Sequence, residues 1–240
     1  MFSNVIYKLS AFSDYSSISY NQQDIIEIMQ KFNDLNLVPS VFQEVLPTGA
    51  LSKRMQFVGN NGLILIIINS GRIDIQITSE KKEGFSKDEI PNIKTKVISI
   101  YEGLYTILDK VSSDPNRLAW YTSYIYFELT DLQKEEYRNR FLKDISFFND
   151  GRLDDMVVRY ATRKETDIDA LKEKINIITT INRIEDFIGP DSPVDGYKIE
   201  YDINTWQGNK KNRFTTTNVE TFINISMNYQ EKLNKEFIYE

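Results

Sequence analysis

Residues 54–77 constrain the fold of this chain more than any other stretch. Arg54-Met55-Gln56-Phe57 alternates, with Met55 and Phe57 on one face. Leu63-Ile64-Leu65-Ile66-Ile67-Ile68 is apolar throughout, and Arg72-Ile73-Asp74-Ile75-Gln76-Ile77 alternates strictly. A period of two marks a strand, because successive side chains leave the pleat on opposite sides. Gly59-Asn60-Asn61-Gly62 and Asn69-Ser70-Gly71 separate the segments and are rich in residues that tolerate tight turns. An antiparallel three-strand meander is expected. Its uniformly apolar middle strand should be covered on both faces, and its third strand should turn three isoleucines inward and Arg72, Asp74 and Gln76 outward.

The flanking sequence frames this meander. Residues 4–10 read as an opening strand, and Asn21 or a neighbour as the cap of a helix with Ile25, Ile28, Met29, Phe32 and Leu35 on one stripe. Pro39 should end the connection that follows, and residues 41–46 form a short strand stopped by Pro47-Thr48-Gly49. Ser86 with Glu89 spells a capping box for a long helix. Its stripe is Ile93, Val97, Ile100, Leu104, Ile107 and Val111. Pro91 falls just beyond the first turn of a helix begun at Ser86, whereas a start at Asp88 would place it inside the first turn, where a missing N–H costs little. Ser112-Ser113-Asp114-Pro115-Asn116 is the clearest break. Residues 118–129 then read as an aromatic strand, Thr130 with Gln133 caps another helix, and residues 156–163, 175–184 and 197–205 read as three more strands. Thr217 with Glu220 is expected to cap a final helix bearing Val219, Phe222, Ile223, Tyr229, Leu233 and Phe237.

Each half thus reads strand, helix, several strands, long helix. The expected class is α+β, with one αβ half over 1–112 and a second over 117–240. A curved, mainly antiparallel sheet would run through both, with the long helices on one face. The two halves are candidate pseudo-repeats by element order alone, and TATA-binding-protein-like and helix-grip architectures have that shape. A fold of this kind does not fix a function.

The chemistry is bounded by an absence. Among 240 residues there is no cysteine and no histidine. That removes the commonest nucleophile–base pairs, the usual zinc ligands, redox thiols and disulfides. No Gly-rich phosphate loop or Gly-x-Ser-x-Gly elbow is present, and Ser79-Glu80-Lys81-Lys82 matches Ser-x-x-Lys by letters only. A net charge of −6 gives no general attraction to nucleic acid or an anionic membrane. Residues 1–8 lack the basic and apolar regions of a signal peptide. The six-residue apolar run is far short of the roughly 20 a membrane helix needs, so a cytoplasmic protein without membrane contact is expected. No cofactor is expected.

Several groups are candidates for binding. Trp206-Gln207-Gly208-Asn209-Lys210-Lys211-Asn212-Arg213 joins a strand to the start of the last helix, where backbone N–H groups attract anions. Lys210, Lys211 and Arg213 would add charge, and Trp206 could stack on a base or anchor a protein. The plainer alternative is a solvated loop. Arg159 and Arg163 share a strand face and, with Arg152, could contact phosphate or carboxylate, although nearby Asp150, Asp154, Asp155 and Glu165 could pair with them. The same aspartates could serve magnesium, but Gly151 interrupts them and no calcium-loop spacing exists. Glu185, Asp186 and Asp191 lie in an acidic stretch suited to a basic partner. Trp120, Tyr124 and Tyr126 alternate with Tyr121 and Phe127, which favours core packing on one face and protein contact on the other.

At Gln43-Glu44, Arg54-Met55-Gln56-Phe57 and Arg72-Ile73-Asp74 the chain resembles a sporadically distributed family of uncharacterised prokaryotic proteins found in variable genomic islands with phage or defence genes. The resemblance implies a standalone α+β protein, an accessory, regulatory or inhibitory part of a defence or counter-defence system. It brings no catalytic residues. The expectation is therefore a non-enzymatic protein that acts by protein–protein contact, with a nucleic-acid-handling complex as one partner its carboxylates could suit. Two alternatives remain: nucleic-acid or nucleotide binding through 206–213, and a carboxylate metal-dependent hydrolase.

Overall fold

The computed structural model describes residues 3–18, 20–46, 48–81, 84–108, 114–127, 130–141, 156–187 and 193–238. Nine strands form one open antiparallel sheet: β1 (Ser3–Phe12), β2 (Val38–Val45), β3 (Leu51–Gly59), β4 (Ile64–Ile68), β5 (Arg72–Thr78), β6 (Arg117–Phe127), β7 (Val157–Ile168), β8 (Leu171–Phe187) and β9 (Pro193–Thr205). The helices are α1 (Gln22–Lys31), α2 (Ile90–Leu108), α3 (Asp131–Phe141) and α4 (Thr216–Phe237). The spatial order is β2-β3-β4-β5-β1-β6-β9-β8-β7. The opening strand β1 therefore lies at the centre, pairing with β5 on one side and with β6 on the other. No described helix is long and apolar enough to cross a membrane.

Register explains the two faces. Phe57, Ile66, Ile75, Leu9, Trp120, Ile203 and Ile177 stand opposite one another in a row across seven strands. All seven are buried. Ile93, Val97, Ile100 and Leu104 of α2 and Val219, Phe222 and Ile223 of α4 join them in one core. A second cluster gathers Tyr124, Tyr137, Ile181, Tyr197, Ile199 and Tyr201, against which Phe141 and Phe237 pack. Trp120 and Tyr124 thus serve the core. Gln230 of α4 donates to the hydroxyls of Tyr7 and Tyr124 and so ties this helix to β1 and β6.

One residue along, the row reads Gln56, Ile67, Asp74, Ser10, Ala119, Asn204, Asn176 and Arg163. The described helices bury their side chains against the first face, so this second face is mostly polar. On β4, Leu65 and Ile67 are only half-buried, against the expectation of a strand covered on both sides. On β5, Asp74 departs from the expected pattern because it is itself buried. It accepts from the Ser10 hydroxyl at 2.5 Å and pairs with Arg72 at 2.8 Å, which offsets the cost of taking the charge out of water.

Helix starts follow local chemistry. Asn21 caps α1 through the Gln23 amide. Glu89 accepts from the Ser86 amide ahead of α2, and Pro91 falls in the first turn. Thr130 and Gln133 make reciprocal bonds ahead of α3. The cap of α4 is a correction: Thr215 and Asn218 form the box, two residues before the expected Thr217 and Glu220. Asn218 fills the place usually given to Glu or Gln because its carboxamide reaches the Thr215 amide at 3.0 Å. Pro39 does not end a connection but lies within β2, an edge strand, where its missing donor is tolerated.

Candidate functional site

The loop that follows β9 is built differently from a free basic loop. Arg213, its side chain 10% exposed, pairs with buried Glu173 at 2.5 Å. It also donates to the carbonyls of Asn116, Asn209 and Lys211. Its charge is committed to holding the loop, not to a ligand. The anion at the start of α4 is likewise internal. Asp169, at left-handed φ 53° in the β7–β8 turn, accepts from Asn218 at 2.6 Å and from Thr221 at 2.8 Å. Lys210 and Lys211 remain exposed.

Trp206 is 37% exposed and points to the polar face. Its indole lies against Gly208, where an added Cβ would come within 2.3 Å of the ring. Arg163 stands 5.7 Å and the Lys174 ammonium 5.5 Å from the ring centroid. Arg163 also donates to Asn176 at 2.7 Å, Asn176 to Asn204 at 3.1 Å, and Asn204 to Asp202 at 3.0 Å. Arg159 is exposed on the same face, opposite Thr180.

Further across this face, Phe12 faces Arg72 on β5 and Arg117 on β6. Their guanidinium carbons stand 5.6 and 4.5 Å from its ring centroid. Burial pushes the Arg117 guanidinium down from its ordinary value; Asp202 opposes this and Arg72 adds to it. Its Nε is buried and has no hydrogen-bond partner among the described residues. Above this row, Lys8 lies 5.1 Å over the Tyr121 ring, and the Tyr121 hydroxyl donates to Glu200. Burial would raise the Glu200 carboxyl, but bonds from Lys198 and Tyr121 outweigh it and hold it below the usual range.

The second candidate surface is the β2 edge. Val38, Val41, Val45 and the neighbouring Leu51 are 65%, 46%, 69% and 64% exposed. The strand's one charged residue, Glu44, turns inward. It accepts from Arg54 at 2.8 Å and from the Ser70 amide and hydroxyl at 3.0 and 2.8 Å. Arg54, itself buried, donates to the carbonyls of Tyr15, Ser16 and Ile18 and thereby pins residues 15–18 beneath the edge.

Of the acidic candidates, Glu185 and Asp186 stand on β8 opposite Asp195 and Val194. Asp191 lies outside the described residues, as do Asp150, Arg152, Asp154 and Asp155. Among the described residues no group of three or more acidic side chains is placed to hold a metal. No protein-family model and no curated protein matches the chain.

Proposed function

We propose that this protein works by binding another protein, which adds an extended segment to the exposed β2 edge. One observation carries the reading. β2 offers eight residues of backbone and three exposed valines with no outward charge. Soluble proteins normally blunt such an edge with charge, bulges or a covering loop, because its free backbone groups recruit other chains. Main-chain hydrogen bonds supply affinity in strand addition and the alternate side chains supply selectivity. A role as an accessory or inhibitory part of a prokaryotic defence or counter-defence system rests on the sequence resemblance. The similar element order of the two halves, strand, helix, four strands and helix against strand, helix, three strands and helix, supports a pseudo-repeated architecture of the TATA-binding-protein or helix-grip kind.

Val41→Lys with Val45→Lys tests the edge. The tagged wild-type protein is expected to recover one stoichiometric protein from its native host, with or without phage challenge, and the double variant to lose it. Equal recovery by both, or no protein recovered by either, would defeat the reading.

A further inference from the structure

We propose that the polar face carries a binding site for single-stranded nucleic acid, laid along one row of the sheet. Phe12 is register partner to both Arg72 and Arg117. The pairing of β6 with β9 ends at Ala119 and Asn204, and Arg117 and Trp206 each lie two residues beyond it on the adjacent backbones. The Trp206 amide donates to the Lys174 carbonyl at 2.8 Å, so Lys174 of β8 is the next member. Four strands and the residue that follows β9 thus bring Arg72, Phe12, Arg117, Trp206 and Lys174 side by side, with Arg163 leaning in from β7. At about 4.8 Å between strands, the row is roughly 19 Å long.

Each feature suits a flexible anionic strand with stackable groups. Cations flank both rings, so phosphates and bases meet alternating partners along one track. Trp206 is exposed, while Gly208 closes the far side of its indole and fixes the ring. Arg117 brings a guanidinium with a buried, unpartnered Nε and no ion pair among the described residues. Among the described residues, the one ion pair of Lys174 is a 4.0 Å pairing with the exposed Glu165, which is weak in solvent. Asp74 and Asp202 border the row, but Asp74 is bound by Ser10 and Arg72, and Asp202 accepts from Asn204. A duplex would offer its bases no access to the Trp206 ring, so the single strand is the favoured form.

The test is fluorescence anisotropy with labelled 15-mers of deoxythymidine and of uridine, followed in parallel by intrinsic tryptophan emission. Trp120 is buried, so quenching on binding reports Trp206. The wild type is expected to bind at low salt and weaken as salt rises, with quenched emission. Trp206→Ala should weaken binding at least fivefold, within the range of one stacking contact. Arg117→Gln should weaken it and flatten the salt dependence. Lys210→Ala, outside the row, should bind as the wild type does, and unchanged melting curves would confirm that each variant is folded. Should Trp206→Ala unfold, Trp206→Phe retains a stacking surface and should keep most of the affinity. The proposal is overturned if the wild type binds neither strand at low salt, if Arg117→Gln, together with Trp206→Ala where it folds, binds as tightly as it does, or if a duplex binds more tightly than the single strand.

Discussion

The two edges of the sheet are opposites. β7 is charged along its length: Arg159, Arg163, Lys164, Glu165 and Asp167 are all exposed. β2 turns its one carboxylate inward and shows valines to solvent. Charge on an edge strand discourages the addition of another chain. The contrast teaches that only one side of this sheet is guarded by charge, and that the other, which carries Pro39 alone as a blocking residue, has been braced from beneath. Arg54, Glu44 and Ser70 hold β2 in place without using its outer rim. If this edge takes up a partner as proposed, its rigidity would reduce the ordering cost of association.

The brace gives the sharpest way to break the comparison. Arg54→Met removes a donor from three carbonyls and from Glu44, which keeps Ser70, and should cost about 3 kcal/mol in urea denaturation. The equivalent loss of Arg159 from the guarded edge should cost less than about 0.5 kcal/mol. If the two losses were equal, the β2 edge would not be the braced one. Gly59→Ala comes next. Its Cβ would meet the Leu35 carbonyl oxygen at 2.7 Å, just where β3 leads away from β2, and about 2 kcal/mol should be lost.

Acid should act on one edge first. Partial burial pushes the Glu44 carboxyl up, but bonds from Ser70 and Arg54 outweigh it and keep the carboxyl below its ordinary value of 4.5. The stabilisation is therefore whole above the unfolded value and fades as pH falls through the lower, folded one. Thermal melts at steps below pH 5 should show a steeper decline for the wild type than for Glu44→Gln. Parallel curves would mean that the carboxylate does not hold the edge. The smallest effect on stability is expected from Val41→Lys with Val45→Lys: less than about 0.5 kcal/mol, with the partner lost. Converting the other edge by Arg159→Val and Lys164→Val should instead create concentration-dependent association, seen by light scattering.

Much of the fold was legible because its signals are local. Alternation at 72–77 identifies β5 and its buried isoleucines, and Thr130 with Gln133 identifies the start of α3. What escaped is what long-range pairing creates. Nothing near residue 4 says that the first strand will sit between β5 and β6. Asp74 reads as a solvent-facing residue until Ser10, 64 positions away, is paired with it. Arg213 looked like a ligand-seeking cation because its partner, Glu173, lies 40 residues upstream. Trp206 reads in the sequence as a stacking or anchoring residue of its own loop, but its neighbours are Arg163 and Lys174 on other strands. Arg72, Phe12 and Arg117 come from three separate segments and share a row only once register is known.

The last helix carries a consequence for how the chain is made. Val219, Phe222 and Ile223 complete the larger cluster, Phe237 packs on the smaller one, and Gln230 reaches β1 and β6 at the seam. A nascent chain lacking α4 would leave both clusters open. Until that helix has emerged from the ribosome, the growing polypeptide holds its isoleucine-rich strands without a complete cover and depends on being shielded from its neighbours.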